Sequence, residues 1–227
     1  MSGWNRATLT QNDVVGPGLH RLRLEVPLAI ASGFHTPGQY HRVRAPSGLD
    51  ASFAIASPPG AAAFEYLLRA SSGVAGELLA LSVGAQVDVS APMGPGFPAP
   101  LAKGQNLLLI GTGTGFAPLR SVLLTIAANR SDYGEVHGAY GVLTPAHLAF
   151  GNELAAWERA GLHLIPTVTT TGPGWTGAVG QVQDVLPRLP VERSALAFLC
   201  GQNEMVKDVT DLLGRRGLPA DRVFVNF

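Results

Sequence analysis

Hydrophobic and polar residues alternate in short segments through the first hundred residues of the chain, and glycine and proline separate these segments. The clearest is residues 20–26, in which two leucines and a valine fall on one face and two arginines and a glutamate on the other. This alternation is typical of a half-buried antiparallel strand. Similar segments predict strands at 39–44, 53–57, 64–69 and 86–89. We therefore expect an antiparallel β-barrel here.

Two segments of this half depart from the strand pattern. Residues 74–81 carry leucines at 78, 79 and 81 after Gly73, and they predict a short helix. Residues 91–100 contain four prolines and two glycines, which excludes both a helix and a central strand. We place a domain boundary just after this segment, so the predicted domains are 1–102 and 103–227.

From residue 106 onward, apolar runs alternate with helical periodicity. The run at 107–110 is wholly apolar, as expected for a strand that is buried on both faces. The pattern predicts strands at 107–110, 136–140, 162–168, 195–200 and 222–225, and helices at 117–129, 152–159, 179–186 and 204–215. Such alternation predicts an α/β domain with a doubly wound parallel sheet.

A glycine-rich loop joins the first of these strands to its helix, and it consists of Gly111, Thr112, Gly113, Thr114 and Gly115. Glycines let backbone N–H groups approach a pyrophosphate closely, and the helix N-terminus adds the positive end of its dipole. The usual G-x-G-x-x-G motif, placed from Gly111, would require glycine at position 116, where this chain has phenylalanine. The loop therefore belongs to another class of glycine-rich loop. A turn that binds nothing is the alternative, although three glycines and two threonines exceed what a turn needs.

Composition excludes several classes of protein. Hydrophobic residues make up 46% and charged residues 14% of the 227 residues, with zero net charge, which is typical of a compact soluble protein without a nucleic-acid or membrane surface. A single cysteine, Cys200, excludes an internal disulfide and a cysteine-ligated iron–sulfur cluster in this chain. No metal-binding motif is present. The N-terminus lacks a signal pattern, so we expect a cytoplasmic protein.

Taken together and in order, several motifs indicate a family. They are residues 37–40, 53–57, 91–97, the glycine loop with Pro118, residues 140–144 and residues 199–205. Each is weak alone, but their order and spacing are specific. Over nearly its whole length the chain resembles the ferredoxin–NADP reductase-like superfamily.

The resemblance implies an activity and a set of cofactor sites. The barrel of such proteins holds FAD or FMN, and the α/β domain brings the nicotinamide of NADH or NADPH to the flavin for hydride transfer. Electrons then pass to an acceptor, here expected to be a separate redox protein. The glycine loop would bind the nucleotide pyrophosphate, while Cys200 and Gly201 would lie beside the nicotinamide and a helix from Gln202 to Met205 would close over the nucleotide.

Two residues are candidates for a direct role in the reaction. Cys200 would act at the nicotinamide, although a buried structural thiol is an equal alternative. Phe227, the last residue, would cover the flavin face as a gate, against an alternative of simple packing.

The flavin motifs depart from the family pattern. The family sequence R-x-Y-S corresponds here to Ala51-Ser52-Phe53-Ala54, followed by Ile55. Phe53 can stack on the flavin ring, but Ala51 lacks the charge for a phosphate and Ala54 lacks the hydroxyl.

The second phosphate motif is also reduced, because Gly73, Val74, Ala75 and Gly76 offer only backbone N–H groups. The missing positive charge could come from Arg69, Arg42 or Arg44. At least two of these three arginines are expected to be ordinary solvated strand residues.

Three functions remain open from sequence. The first is an FAD-dependent NAD(P)H oxidoreductase, with NADH favoured because no arginine or lysine lies between Tyr140 and Phe150, unless Arg120 or Arg130 reaches the 2′-phosphate. The second is a flavin-deficient reductase-like subunit that acts in assembly or nucleotide sensing. The third is a flavin subunit of an iron–sulfur complex, which ranks lower because those relatives carry extra cysteines.

Overall fold

The computed structural model describes residues 3–226 and contains two six-stranded sheets. The first sheet is antiparallel, in the order β4-β3-β6-β1-β2-β5. Its strands are β1 (Asn5–Gly16), β2 (Leu19–Glu25), β3 (Tyr40–Arg44), β4 (Asp50–Ala54), β5 (Ala63–Arg69) and β6 (Gln86–Val89), and its helices are α1 (Leu28–Ala31) and α2 (Val74–Leu79). The predicted β2 pattern is confirmed, since Leu22, Leu24 and Val26 are all buried.

Two strands of this sheet differ from the prediction. β1 was not predicted because register shifts between Leu9 and Gln11 and between Val14 and Gly16 interrupt its alternation. β4 begins at Asp50, earlier than predicted, because pairing with β3 extends the strand through residues that have no apolar pattern. It ends at Ala54, so residues 55–57 lie beyond the strand.

The second sheet is parallel, in the order β10-β9-β8-β7-β11-β12. Its strands are β7 (Leu107–Thr112), β8 (Val136–Val142), β9 (Leu162–Val168), β10 (Ala178–Val179), β11 (Leu196–Cys200) and β12 (Val223–Val225). The helices are α3 (Phe116–Ala128), α4 (Leu154–Arg159), α5 (Val182–Val185) and α6 (Asn203–Arg215). The predicted two-domain fold class is therefore confirmed.

One helix of the second domain is shorter than the sequence pattern suggests. The prediction of a helix from 179 to 186 was wrong at its start, because Ala178 and Val179 pair with β9. Gln181 and Asp184 then form a reciprocal capping box that starts α5 at Val182.

Strand order fixes the position of a ligand site. β8, β9 and β10 follow β7 on one side, whereas β11 and β12 lie on its other side. The order in which strands are added therefore reverses between β7 and β11, which remain parallel, and open α/β sheets bind ligands outside the carboxyl ends of strands at such a point. The glycine loop lies there, directly after β7.

The two sheets share part of their hydrophobic core. Leu19, Ala56, Leu67 and Phe97, from the first hundred residues, belong to the same buried cluster as the core of β7 and α3. Phe97 stacks on Phe198 of β11 with ring centroids 4.9 Å apart. The predicted boundary at 102/103 stays a prediction. Between residues 3 and 226 no helix is both long and apolar enough to cross a membrane.

A buried histidine lies in the core of the barrel. His41 is fully buried, its Nδ1 is 3.3 Å from the Tyr66 hydroxyl, and its ring meets Phe64 edge-on. Within the described residues its Nε2 has no hydrogen-bond partner. Burial lowers the pKa of His41 to about 4, so the folded protein holds it neutral.

This buried imidazole predicts a loss of stability in acid. Histidine in the unfolded chain titrates near 6.5, so the free energy of unfolding falls as the pH drops below about 6.5, by about 3 kcal/mol at pH 4 from this residue. Urea denaturation of wild type and His41→Leu at pH 7 and at pH 4.5 measures this term. We expect the free energy of unfolding to fall less between pH 7 and pH 4.5 in the variant than in wild type. An equal fall in both proteins would contradict a buried, neutral His41.

Candidate functional site

A cavity of about 780 Å³ opens at the carboxyl ends of β7, β8 and β11. Residues of both halves line it: Arg69, Thr112, Gly113, Thr114, Gly115, Gly141, Val142, Leu143, Thr169, Gly180, Gln181, Val182, Gln183, Cys200, Gly201, Gln202, Glu204, Met205, Asp208 and Asn226. Its volume is within the range of small-molecule sites.

Glycine residues, which have no side chain, form the floor of the cavity. After β7 the chain makes one 3₁₀ turn, Gly113–Gly115, and α3 begins at Phe116. A Cβ on Gly115 would lie 2.7 Å from the Gly201 Cα and 2.9 Å from the Cys200 carbonyl oxygen, and one on Gly201 would overlap the Thr112 hydroxyl. Only glycine allows the ends of β7 and β11 to come this close.

Unpaired polar groups face this floor. Thr112 Oγ1 is buried, and it has no hydrogen-bond partner among the described residues. Among the described residues no side chain caps the 3₁₀ turn that leads into α3, so the N–H groups of this turn, Gly113–Gly115, remain available to a ligand. A buried hydroxyl without a partner costs about 1–3 kcal/mol, which a ligand oxygen would recover. These features suit an anionic ligand such as a pyrophosphate.

The three candidate arginines have different environments. The Arg42 Nε lies 2.6 Å from Asp50 Oδ1, and the Arg44 guanidinium lies 3.9 Å from the centre of the Trp4 ring. Arg69, at the end of β5, instead lines the cavity, with its Nη2 3.7 Å from the position of a Cβ on Gly113. Arg69 is therefore the arginine of this set that faces the cavity.

Several predicted flavin residues do not line this cavity. Phe53 pairs across the strands with buried His41 and packs against the barrel core. Ile55 is fully buried and its N–H donates to the Gln39 carbonyl, so its side chain cannot face a cofactor. Ala54 ends β4. Gly111, predicted for the nucleotide pyrophosphate and not for the flavin, also does not line the cavity, since it lies within β7 against Leu119.

The second predicted flavin motif lies at the start of α2. Gly73 has a left-handed φ of +74° and precedes the first helical residue, Val74, while Ala75 and Gly76 complete the first turn. No side chain caps this start. The backbone N–H groups of the turn are therefore open to an acceptor, as the sequence suggested.

Cys200 and Asn226 both line the cavity. Burial raises the pKa of the Cys200 thiol to about 12, so it stays protonated at neutral pH and is no nucleophile. Phe227 lies outside the described residues, and its gate role stays a prediction. Asn226 is buried, and its side-chain amide donates to the Gly38 carbonyl at 2.6 Å.

Sequence reasoning missed much of the outer cavity wall. Thr169 follows β9, Gly180 and Gln181 join β10 to α5, residues 182–183 begin α5, and Asp208 lies on α6. None of them belongs to a recognisable motif. The rule that ligands bind at the carboxyl ends of parallel strands could have indicated Thr169, whereas the others depend on the packing of α5 and α6.

The fold and this site define a two-domain nucleotide-binding protein, in which a barrel borders the nucleotide cavity of a parallel α/β domain. A family model described as an oxidoreductase NAD-binding domain matches residues 109–211.

Curated relatives match far more of the chain than this one domain. Fruit protein pKIWI502 of Actinidia deliciosa is 32% identical over 85% of this chain and 66% of that protein. The Sulfhydrogenase 1 subunit gamma of Pyrococcus furiosus is 30% identical over 91% of this chain and 73% of that subunit. The chain thus spans about two thirds of the length of these curated relatives.

Solved structures show the same fold. The ferredoxin NADP⁺ reductase of Neisseria gonorrhoeae, solved with FAD and NADP, has a TM-score of 0.86 at 20% identity and covers 99% of this chain and 98% of that one. The Amycolatopsis cytochrome P450 reductase GcoB has a TM-score of 0.86 at 24% identity, over 98% of this chain and 69% of that one. The chain belongs to the ferredoxin–NADP reductase-like family.

A substitution in the glycine turn tests the anion site. Gly113→Val places a branched side chain at a left-handed φ of +53° on the cavity floor, so we expect the nucleotide dissociation constant to rise by about tenfold or more. Gly104→Val is the matched control, because Gly104 is also left-handed, at +72°, with open space around it. Calorimetric titration with NADH measures both, and equal affinities in the two variants would reject the site.

The thiol environment predicts low reactivity. Because the pKa of Cys200 is raised to about 12, a disulfide reagent at pH 8 should titrate less than a tenth of the thiol within minutes in the native protein, and all of it in denaturant. Rapid native labelling would contradict the buried, protonated state. Added NADH should slow the residual labelling further, since Cys200 lines the cavity.

Proposed function

We propose that this protein is a flavin-dependent NAD(P)H oxidoreductase that passes electrons from a nicotinamide nucleotide to a separate redox protein. The observation that carries the proposal is one cavity with a glycine turn suited to an anion on its floor and Arg69 of the barrel on its wall. The cavity thus joins the predicted nucleotide site to the predicted flavin domain.

The residues present fit FAD, mainly through backbone groups. Its phosphates would be held by the uncapped N–H groups at the start of α2 and by Arg69, in place of the family arginine to which Ala51 corresponds. Loss of one charge-assisted contact costs about 1.5–3 kcal/mol, which a tightly held cofactor can tolerate. The flavin, when bound, supplies the conversion between two-electron and one-electron transfer.

The chain itself contributes binding and exclusion of water. The turn at Gly113–Gly115 and the Thr112 hydroxyl would bind the nucleotide pyrophosphate, while Gly201 leaves room beside β11 for the nicotinamide. Cys200 presents a neutral thiol to this space and neither takes up nor releases a proton at neutral pH. No acid–base pair of side chains is needed for this role.

The charges of the cavity favour NADH over NADPH. Arg69 is the sole arginine or lysine among its described lining residues, whereas Glu204 and Asp208 add carboxylates. Arg120 is buried in ion pairs with Glu65 and Glu153 and does not line the cavity. Arg130, the other candidate, donates to the Tyr133 carbonyl. A 2′-phosphate beside Glu204 or Asp208 would therefore meet a carboxylate in place of a positively charged partner.

The names of relatives support a protein acceptor. Similar proteins include the ferredoxin–NAD(P)⁺ reductase component of a Ralstonia dioxygenase system and electron transfer subunits of dihydroorotate dehydrogenase B. Because these 227 residues contain a single cysteine, a cysteine-ligated iron–sulfur cluster in the pathway would lie outside them. A cytoplasmic location is part of the same proposal.

A flavin-free subunit that senses nucleotides or supports assembly is the second candidate, and Ala51 and Ala54 are the observation that favours it. Anaerobic mixing with FAD and then NADH separates the two. We expect the protein to take up FAD and its visible absorbance to bleach with NADH, about tenfold or more faster than with equal NADPH because of Asp208. Asp208→Lys should bring the rates of bleaching with NADH and with NADPH closer together.

Colourless protein that takes up no added FAD but still binds NADH would support the second candidate and refute the first. Equal rates with NADH and NADPH in wild type would refute only the nucleotide preference.

A further inference from the structure

A buried arginine of the second domain bonds directly to the first domain. Arg120 lies on α3 and is 7% exposed. Its Nε donates to both carboxylate oxygens of Glu153, at 3.0 and 2.9 Å, and its Nη1 donates to the Ala56 carbonyl at 3.1 Å. The same Nη1 pairs with Glu65 Oε2 at 2.9 Å. Ala56 and Glu65 belong to the barrel, so one side chain holds three separate segments of the chain.

A second hydrogen bond lies beside the first. Ser121, the next residue of α3, is fully buried and donates from its hydroxyl to the Ser57 carbonyl at 2.7 Å. The Ser57 hydroxyl in turn accepts from the Glu65 N–H at 2.9 Å, which ties the barrel segment to β5. The Arg120 cluster, comprising Arg120, Ser121, Glu65 and Glu153, is thus part of a continuous polar contact within a largely apolar interface.

The place of these residues in the chain gives the contact a consequence. Arg120 and Ser121 follow the glycine turn by about one and a half turns of α3. Ala56 and Ser57 directly follow the stretch from Phe53 to Ile55. The segment after the predicted flavin strand is therefore bonded to the helix that begins at the nucleotide turn.

The energetics favour a geometric role for this cluster. Ion pairs that are desolvated contribute little net stability, but removal of one partner leaves a buried charge uncompensated. Arg120 also has the planar, multi-donor guanidinium that lysine lacks, and its guanidinium lies 4.9 Å from the centre of the Phe150 ring. A cluster of this kind fixes one arrangement of its elements.

We propose that Arg120, together with Ser121, is a positioning residue that sets the orientation of the nucleotide domain against the barrel, and so the approach of nicotinamide to flavin. The consequence for electron transfer rests on the proposed function, whereas the orientation itself does not. Neither residue lines the cavity.

The orientation is tested without any cofactor. Spin labels on Leu28→Cys of the barrel and Lys207→Cys of α6, both exposed, in a Cys200→Ser background report the distance between the domains by pulsed electron paramagnetic resonance. We expect a narrow distribution of label-to-label distances in this parent protein. After Arg120→Met the distribution should be at least about twice as broad, because the hydrogen bonds of the guanidinium to Glu153 and Ala56 are lost. Arg6→Met is the matched control, because it breaks an exposed ion pair with Asp88 that joins two strands of the barrel and does not reach the other domain.

An unchanged distribution in folded Arg120→Met overturns the proposal. If Arg120→Met does not fold, Ser121→Ala and Arg120→Lys provide the same comparison. For them a distribution as narrow as that of the parent overturns the proposal, and broadening supports it.

The kinetic consequence is measured in protein with Cys200 intact and FAD added. At saturating NADH, Arg120→Met should reduce flavin about ten- to a hundredfold more slowly, since displacements near 1 Å carry such costs, while the NADH dissociation constant changes less than about threefold. A slowing explained wholly by weaker NADH binding would overturn the positioning role. Wild type that NADH does not reduce would instead refute the proposed function and leave the orientation result standing.

Discussion

Close approach of two strand ends is the constraint on which this structure depends. β7 and β11 end side by side, and a Cβ on Gly115 would lie 2.7 Å from the Gly201 Cα. The floor of the cavity is therefore backbone, with the uncapped 3₁₀ turn Gly113–Gly115 and the Thr112 hydroxyl, which has no partner among residues 3–226, directed at the ligand space. An anion bound there is held by groups that cannot move away, which favours a fixed position for the nucleotide.

The barrel completes this arrangement from the other side. Arg69 reaches the cavity from β5, and the Asn226 amide ties the end of the chain to Gly38 of the barrel. Because Ala51 carries no charge, flavin phosphates would rely on Arg69 and on the backbone of α2. Both proposed phosphate sites would thus be built mainly from backbone N–H groups, and the contact between domains would decide how the two bound cofactors meet.

Local patterns predicted the elements whose environment is set by their own residues. The apolar run of β7 and the glycines after it indicated a buried strand and an anion site without knowledge of the rest of the fold. β1 escaped prediction because its register shifts depend on pairing with β2. Arg120 was considered a ligand for a 2′-phosphate, yet its partners Glu153 and Ala56 are 33 and 64 residues away in sequence. Such partners, like Thr169 and Asp208 in the cavity wall, come together only through tertiary packing.

The central claim is that backbone N–H groups at two helix starts hold the cofactor phosphates. Amide hydrogen exchange tests it most directly, with NADH and FAD added separately. We expect slower exchange at residues 113–115 with NADH and at residues 74–76 with FAD, because each ligand protects its own segment. Unchanged exchange in both segments, under conditions in which the ligands bind, would contradict it.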